Sequence, residues 1–236
     1  MIVPALNEQE SIADVVTSVR QIGFEILVID DGSSDKTFVK AKSAGARVID
    51  LSMNLGVGGA LQSGFSYAIR NKFEAVVQLD ADGQHPVSGI SLLIETANSS
   101  NADIVLGSRF LDLRTEMRIS KIRRIAMWIL RVVASRACKT KISDSSSGFR
   151  LIRNPLLSQF AKSFPSHYLG DTFEALVVSG RKNYKVVEIS APFSEREFGD
   201  SSATSWASIL LIFRALVVTS FGIHFRLQEK AQSKAE

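Results

Sequence analysis

"VVQLDADGQHP", residues 76–86, is an apolar run that stops abruptly at two carboxylates, an amide and an imidazole. Its valines read as a strand buried on both faces, which ends where the side chains turn polar. Asp80, Asp82 and Gln84 follow at alternate positions. In an extended segment alternate residues face the same way, roughly 6–7 Å apart at about 3.3 Å per residue. Like charges so close repel unless something positive lies between them. One hard cation with all-oxygen ligands would fill the gap and keep places for water and phosphate oxygens. A D-x-D pair alone also fits a surface turn; its place at the end of a buried strand favours a site. His85 could be a ligand, though its position before Pro86 suits a positioning group better. His167 and His224 carry no pattern.

The same grammar extends in both directions. Ile2 and Val3 form the stub of a strand, and residues 8–21 are helical in pattern. "EILVID" (25–30) is a buried strand, and Ser34, Asp35 and Thr37 open a helix reaching Ala44. "ARVIDL" (46–51) is a third strand, 58–71 a helix, "AVVQLD" (75–80) a fourth strand, 87–98 a helix and "DIVLGS" (103–108) a fifth strand. Strand–helix alternation with continuously apolar strands predicts an α/β fold, a mostly parallel sheet with helices on both faces. In such sheets ligands sit beyond the carboxyl ends of the strands. Asp30, Asp31, Asp80, Asp82 and Arg109 all fall at those ends.

Composition excludes several classes. The chain has 236 residues, 45% hydrophobic and 22% charged, so it can bury a large core and is not disordered. One cysteine, Cys138, excludes a disulfide framework and suits a reducing compartment. The opening "MIVPALNE" has no basic n-region and no long apolar stretch, so no signal peptide is expected. From Arg114 to Lys141 nine Lys or Arg residues meet one acid, Glu116, and are interleaved with Ile119, Ile122, Ile125, Ile129 and Val133. A basic amphipathic helix suits an anionic membrane surface or ligand, or else a solvated helix packed on the core. Nucleic acid is disfavoured, because neither aromatic interleaving nor a known motif accompanies the charge. The apolar stretch 206–225 is long enough to span a bilayer, but Arg214 in its middle favours a helix in the interface or on the domain.

Other motifs stay open on local chemistry. "GVGGALQSG" (56–64) fails the dinucleotide fingerprint, because Leu61 stands where its sixth place needs glycine. Asp30 beside Asp31 exceeds what a helix cap needs, and such a carboxylate can bind a nucleobase or ribose. Arg109 suits a phosphate oxygen pair, or a salt bridge to one of the aspartates. "DSSSGFRL" (144–151) fits an Asx-type turn as well as a site.

Together "IVPALNEQESI", "VIDDGSSDKT", "NLGVGGAL" with "SGF", "LDADGQHP", "GSRF", "DSSSGFRL" and "EREFG" with "SS" resemble, in order and approximate spacing, the family 2 glycosyltransferases. The polyprenyl-phosphate branch, typified by dolichol-phosphate mannose synthase, is the most similar. The resemblance runs to about residue 205, and seven ordered motifs are jointly very specific. It implies a GT-A domain over 1–205, with 206–236 as an apolar helix and polar tail. It also implies a nucleotide-diphosphate sugar donor, Mg2+ or Mn2+, and inversion at the anomeric carbon. Carried onto this chain, Pro4, Leu6, Glu8 and Asp31 would hold the nucleoside. Asp80 would lie against the ribose or sugar, with Ala81 beside it, and Asp82 and Gln84 would bind the metal with Asp80 at hand. Arg109 would lie near a phosphate and Asp144 at the catalytic centre. Arg196, Ser201 and Ser202 would close over the diphosphate. Implied partners are a polyprenyl-phosphate acceptor, the cytoplasmic face of an anionic membrane and a small membrane protein.

Two departures stand out. Leu6 replaces a frequent Tyr, altering base stacking, and Ala203 stands where a Lys often follows the serines. The first strand is also short, as though the chain began at an internal methionine. Competing expectations are a glycan hydroxyl as acceptor, a sugar nucleotidyltransferase, and a subunit that binds donor without turnover.

Overall fold

The computed structural model describes residues 1–85, 87–109, 121–165 and 171–191. Seven strands form one sheet: β1 (Ile2–Ala5), β2 (Leu27–Asp30), β3 (Arg47–Asp50), β4 (Ala75–Gln78), β5 (Ile104–Ser108), β6 (Arg150–Arg153) and β7 (Val186–Ser190). Their order is β3-β2-β1-β4-β6-β5-β7. All neighbours run parallel except β6, which is antiparallel to both β4 and β5. Val76 and Ile104 both face Ile152 across those ladders.

Alternation along the strands sends side chains into two cores. Ile2, Leu27 and Ile29 join one, Val3 and Val28 the other. The first is covered by α3 (Gly56–Arg70), α5 (Lys121–Cys138), α6 (Leu156–Lys162) and α7 (Asp171–Arg181). The second is covered by α1 (Ile12–Gln21), α2 (Thr37–Ser43) and α4 (Gly89–Ser100). In α1 the buried Ile12, Val15, Val16 and Val19 recur at helical spacing and form its inward stripe. Phe65 of α3 is fully buried against Phe160 and Phe164, so truncating it to alanine costs about 3–5 kcal/mol.

The α/β expectation holds, with instructive differences. β6 and α6 were not anticipated. On α5 the inward stripe is Leu130, Ala134 and Cys138, whereas Ile125 stands 58% exposed beside Trp128 at 62%. The stripe is small-sided because α7 comes close: a Cβ on Gly180 would lie 2.5 Å from the Cys138 amide nitrogen. α7 begins at Asp171; residues 166–170, the expected boundary near 205 and the apolar segment 206–236 lie outside the described residues.

Candidate active site

The strand order reverses between β1 and β4, since β2 and β3 follow β1 on one side and β4 lies on the other. A crevice opens outside the carboxyl ends at such a switch point. β1 and β4 share one register pair, Ile2 with Gln78, against four between β1 and β2. Pro4, Leu6 and Glu8 leave one wall and Asp80, Asp82 and Gln84 the other.

On the β1–β2 side carboxylates organise loops. The Ser33 amide donates to Asp30 Oδ1 at 2.9 Å, next to Gly32 at φ +76°. The Leu55 amide donates to Asp31 Oδ1 at 2.8 Å, tying the β2 end to the start of α3. Asn7 bridges the β1 and β2 loops: its amide donates to Ser33 Oγ and its Oδ1 accepts from the Ser34 amide, both at 2.9 Å. The Glu8 amide donates to Thr37 Oγ1 at 2.8 Å. Leu6 is 41% exposed at the tip.

The Asp80 segment is not extended through Gln84, as alternation alone predicts. A turn intervenes: Asp82 Oδ1 accepts from the Gln84 amide at 3.1 Å and Gly83 adopts φ +75°. Ala81 is buried between the partly exposed Asp80 and Asp82. Asp80 is gripped by His85, whose Nδ1 accepts from the Asp80 amide at 2.8 Å while Nε2 lies 3.2 Å from Asp80 Oδ2.

Because β6 runs antiparallel, the loop that enters it reaches this same edge. It brings Asp144 against Arg109 at the end of β5: Nε to Oδ2 is 2.9 Å and Nη2 to Oδ1 is 3.3 Å. Arg109 Nη2 also donates to Ser146 Oγ at 3.1 Å, and Ser146 Oγ donates to Asp144 Oδ1 at 2.8 Å. Burial disfavours the Asp144 charge, but the Arg109 fork and Ser146 outweigh it and hold the carboxyl below the usual carboxylate range. Burial likewise opposes the Arg109 cation, and Asp144, with Asp80 and Asp82 beyond it, keeps it more firmly protonated than usual. The arginine's carboxylate partner is thus Asp144, while both aspartates of the β4 turn lie within its field. Gly148 closes the gap: a Cβ there would lie 2.7 Å from Asp80 Oδ2.

Glu188 of β7 was missed from the sequence. Its Oε1 accepts from the Asp144 amide at 2.8 Å, and its Oε2 from the Ser143 amide at 2.8 Å and hydroxyl at 2.7 Å, pinning the loop that carries Asp144. A lone acid in "VVEIS" gave only the inward–outward alternation of a strand. Arg196, Ser201 and Ser202 lie outside the described residues.

Residues 1–160 match glycosyl transferase family 2. The chain belongs to that family. It is a glycosyltransferase with the GT-A fold. It is 28% identical to polyprenol monophosphomannose synthase of Mycolicibacterium smegmatis, over 96% of this chain and 88% of that protein. It is 23% identical to UDP-N-acetylglucosamine–dolichyl-phosphate N-acetylglucosaminyltransferase of Methanococcus voltae, over 94% and 96% of the two chains. The fold is similar to glucosyl-3-phosphoglycerate synthase of Mycobacterium tuberculosis, solved with Mn2+, UDP and phosphoglyceric acid. There the TM-score is 0.72 at 18% identity, over 92% of this chain and 77% of that one.

Among the described residues no three His, Cys, Asp or Glu side chains form a ready metal cage. Two carboxylates and an amide oxygen fit instead a hard cation that completes its shell with water and diphosphate oxygens.

Proposed function

We propose that this glycosyltransferase moves a sugar, with inversion, from a nucleotide-diphosphate sugar to the phosphate of a polyprenyl-phosphate-type lipid. One observation carries the acceptor. Asp144 is engaged by Arg109 through both oxygens and held below the ordinary carboxylate range, so it is a poor proton acceptor. A sugar hydroxyl must lose its proton during attack and needs a base. A phosphate monoester has a second pKa of about 6 and arrives largely as a dianion. It needs cations, and Arg109 is one at the right edge. The lipid-phosphate acceptors in the relatives' names agree with this.

An acceptor phosphate oxygen bonds to the anomeric carbon from the face opposite the diphosphate. The bond from that carbon to the diphosphate oxygen breaks, and its electron pair leaves with the nucleoside diphosphate. Bound Mg2+ or Mn2+ supplies positive charge against the departing diphosphate. Asp82 and Gln84, with Asp80, would hold the ion. Pro4, Leu6, Glu8 and Asp31 would hold the nucleoside, and Asp80, with Ala81 beside it, would lie against the ribose or sugar; Arg196, Ser201 and Ser202, expected at the diphosphate, lie outside the described residues. Ile125 and Trp128, exposed beside the exposed Arg124, suit α5 to an anionic cytoplasmic membrane face. No described helix is long and apolar enough to cross a membrane.

A thermal-shift panel of UDP and GDP sugars with and without Mn2+ tests the donor, since a ligand that binds only the native state raises Tm. Transfer assays with short-chain polyprenyl phosphate and with a free glycan test the acceptor. Transfer to the glycan but not to the lipid phosphate overturns the proposal.

A further inference from the structure

We infer that His85 is the positioning residue that aims the Asp80 carboxylate into the donor and metal site, a role that rests on the glycosyl-transfer proposal above. A backbone N–H can only donate, so the 2.8 Å bond from the Asp80 amide requires an unprotonated Nδ1 and places the ring proton on Nε2. Nε2 lies 3.2 Å from Asp80 Oδ2. One imidazole therefore holds the main chain of Asp80 by a hydrogen bond and stands within ion-pair distance of its side chain. That approach biases the direction of a carboxylate whose side chain is 43% exposed.

The ring is itself fixed. His85 is 9% exposed and lies against Phe149, with centroids 5.3 Å apart and planes at 31°. Phe149 is seated in turn: the Gly107 amide donates to its carbonyl at 2.9 Å, and a Cβ on Gly107 would enter its ring. Gly148 also lies against the carboxylate, where a Cβ would be 2.7 Å from Asp80 Oδ2. A side chain that only filled space against Phe149 would need neither nitrogen.

The test is Mn2+ affinity, read as free Mn2+ by electron paramagnetic resonance, with UDP or GDP, whichever wild type binds. His85→Phe keeps an aromatic ring against Phe149 and removes both nitrogens. His85→Asn keeps an acceptor at the Nδ1 place only, and His85→Gln carries an amide N–H to the Nε2 place. Groups that orient metal-binding carboxylates typically contribute about 10–100-fold in metal affinity. His85→Phe and His85→Asn are expected to lose that much at unchanged folded fraction, and His85→Gln to recover most of it. A purely structural role would lower Tm in each variant and leave the affinity of the folded protein alone. Affinity within about twofold of wild type in His85→Phe, or equal affinities in His85→Asn and His85→Gln should His85→Phe not fold, overturns the inference. Wild type that binds neither Mn2+ nor nucleotide overturns glycosyl transfer and this role together.

Discussion

Two sets of aspartates stand at one edge of one sheet and are held in different ways. Asp30 and Asp31, at the end of β2, accept from the backbone amides of Ser33 and Leu55. Asp144, at the β6 entry, accepts from a guanidinium as well as from the loop amides of Arg109 and Ser146. Amide-held carboxylates shape loops, here the β2 end and the start of α3. The guanidinium-held carboxylate has its charge matched, so its neighbourhood can receive phosphate. Between them Asp80 and Asp82 open towards the crevice. The partner of an aspartate says more about its task than its place at the edge does.

The largest test of that distinction falls on the middle set. Asp82→Ala should cost about 10²–10³-fold in turnover, the scale of removing a group that stabilises developing charge. Its stability should stay within about 0.5 kcal/mol of wild type, because Asp82 is partly exposed in the turn after β4, where water can replace its bond from the Gln84 amide. Full activity in that variant, or wild type working normally in excess chelator, defeats the metal assignment.

The amide-held set should answer in the opposite currency. Asp31→Ala leaves the Leu55 N–H without its acceptor at the start of α3, which costs about 1–3 kcal/mol. Urea unfolding at pH 7 reads this directly. A stability equal to that of Asp82→Ala would erase the contrast between the two sets.

The two halves of the sheet also differ in how openly the sequence displays them. β1 to β4 alternate with helices, each step local, and periodicity found every one. β6 is four residues, "RLIR", with arginine at both ends, and it follows a run of serines and glycine. Its place depends on pairing with β4 and β5, far away in the chain. Arg150 is tolerated there at 1% exposure because its Nε donates to the Ser147 carbonyl at 2.7 Å and Nη1 to the Thr172 carbonyl at 2.9 Å. Neither partner can be foreseen locally. The same antiparallel strand brings Asp144 to Arg109, so the motifs marked both residues while their pairing stayed hidden. Likewise the D-x-D spacing singled out Asp80 and Asp82, but the turn at Gly83 and the hydrogen bond from the Asp80 amide to His85 are tertiary facts.

Asp144→Asn sharpens the contrast on the acceptor. If Asp144 orients Arg109 and is no base, turnover with short-chain polyprenyl phosphate should fall about 10-fold or less, whereas loss of an obligate base costs about 10²–10⁴-fold. A drop in the larger range, with the loop still folded by circular dichroism, would make Asp144 a base and favour a hydroxyl acceptor.

The smallest effect is a change of slope with pH, and it separates the two ways of holding a carboxylate most directly. Both Asp144 and Asp35 have carboxyls held below the ordinary 3.8. For Asp144 burial opposes the shift, and Arg109 and Ser146 outweigh it; for Asp35 burial also opposes it and is outweighed by the Thr37 hydroxyl and the Thr37 and Gln9 amides together. A depressed folded-state value means that the unfolded chain binds its proton first as pH falls. The stabilisation is therefore complete above the unfolded value and disappears as pH drops through the folded one. Wild type should lose its advantage over both Asp144→Asn and Asp35→Asn below about pH 4. Arg109→Gln then splits the pair. It leaves Asp35 untouched, but in Asp144 it removes the guanidinium, the largest lowering influence, so less of the depression that opposes burial remains. In that background Asp144 should keep less of its advantage over asparagine at pH 7 and lose less of it towards pH 4, while Asp35→Asn behaves as before. Urea unfolding of the single and double variants at pH 7 and pH 4 decides it. An acid response of Asp144 that survives Arg109→Gln would mean that the loop amides and Ser146, and not the guanidinium, hold that charge.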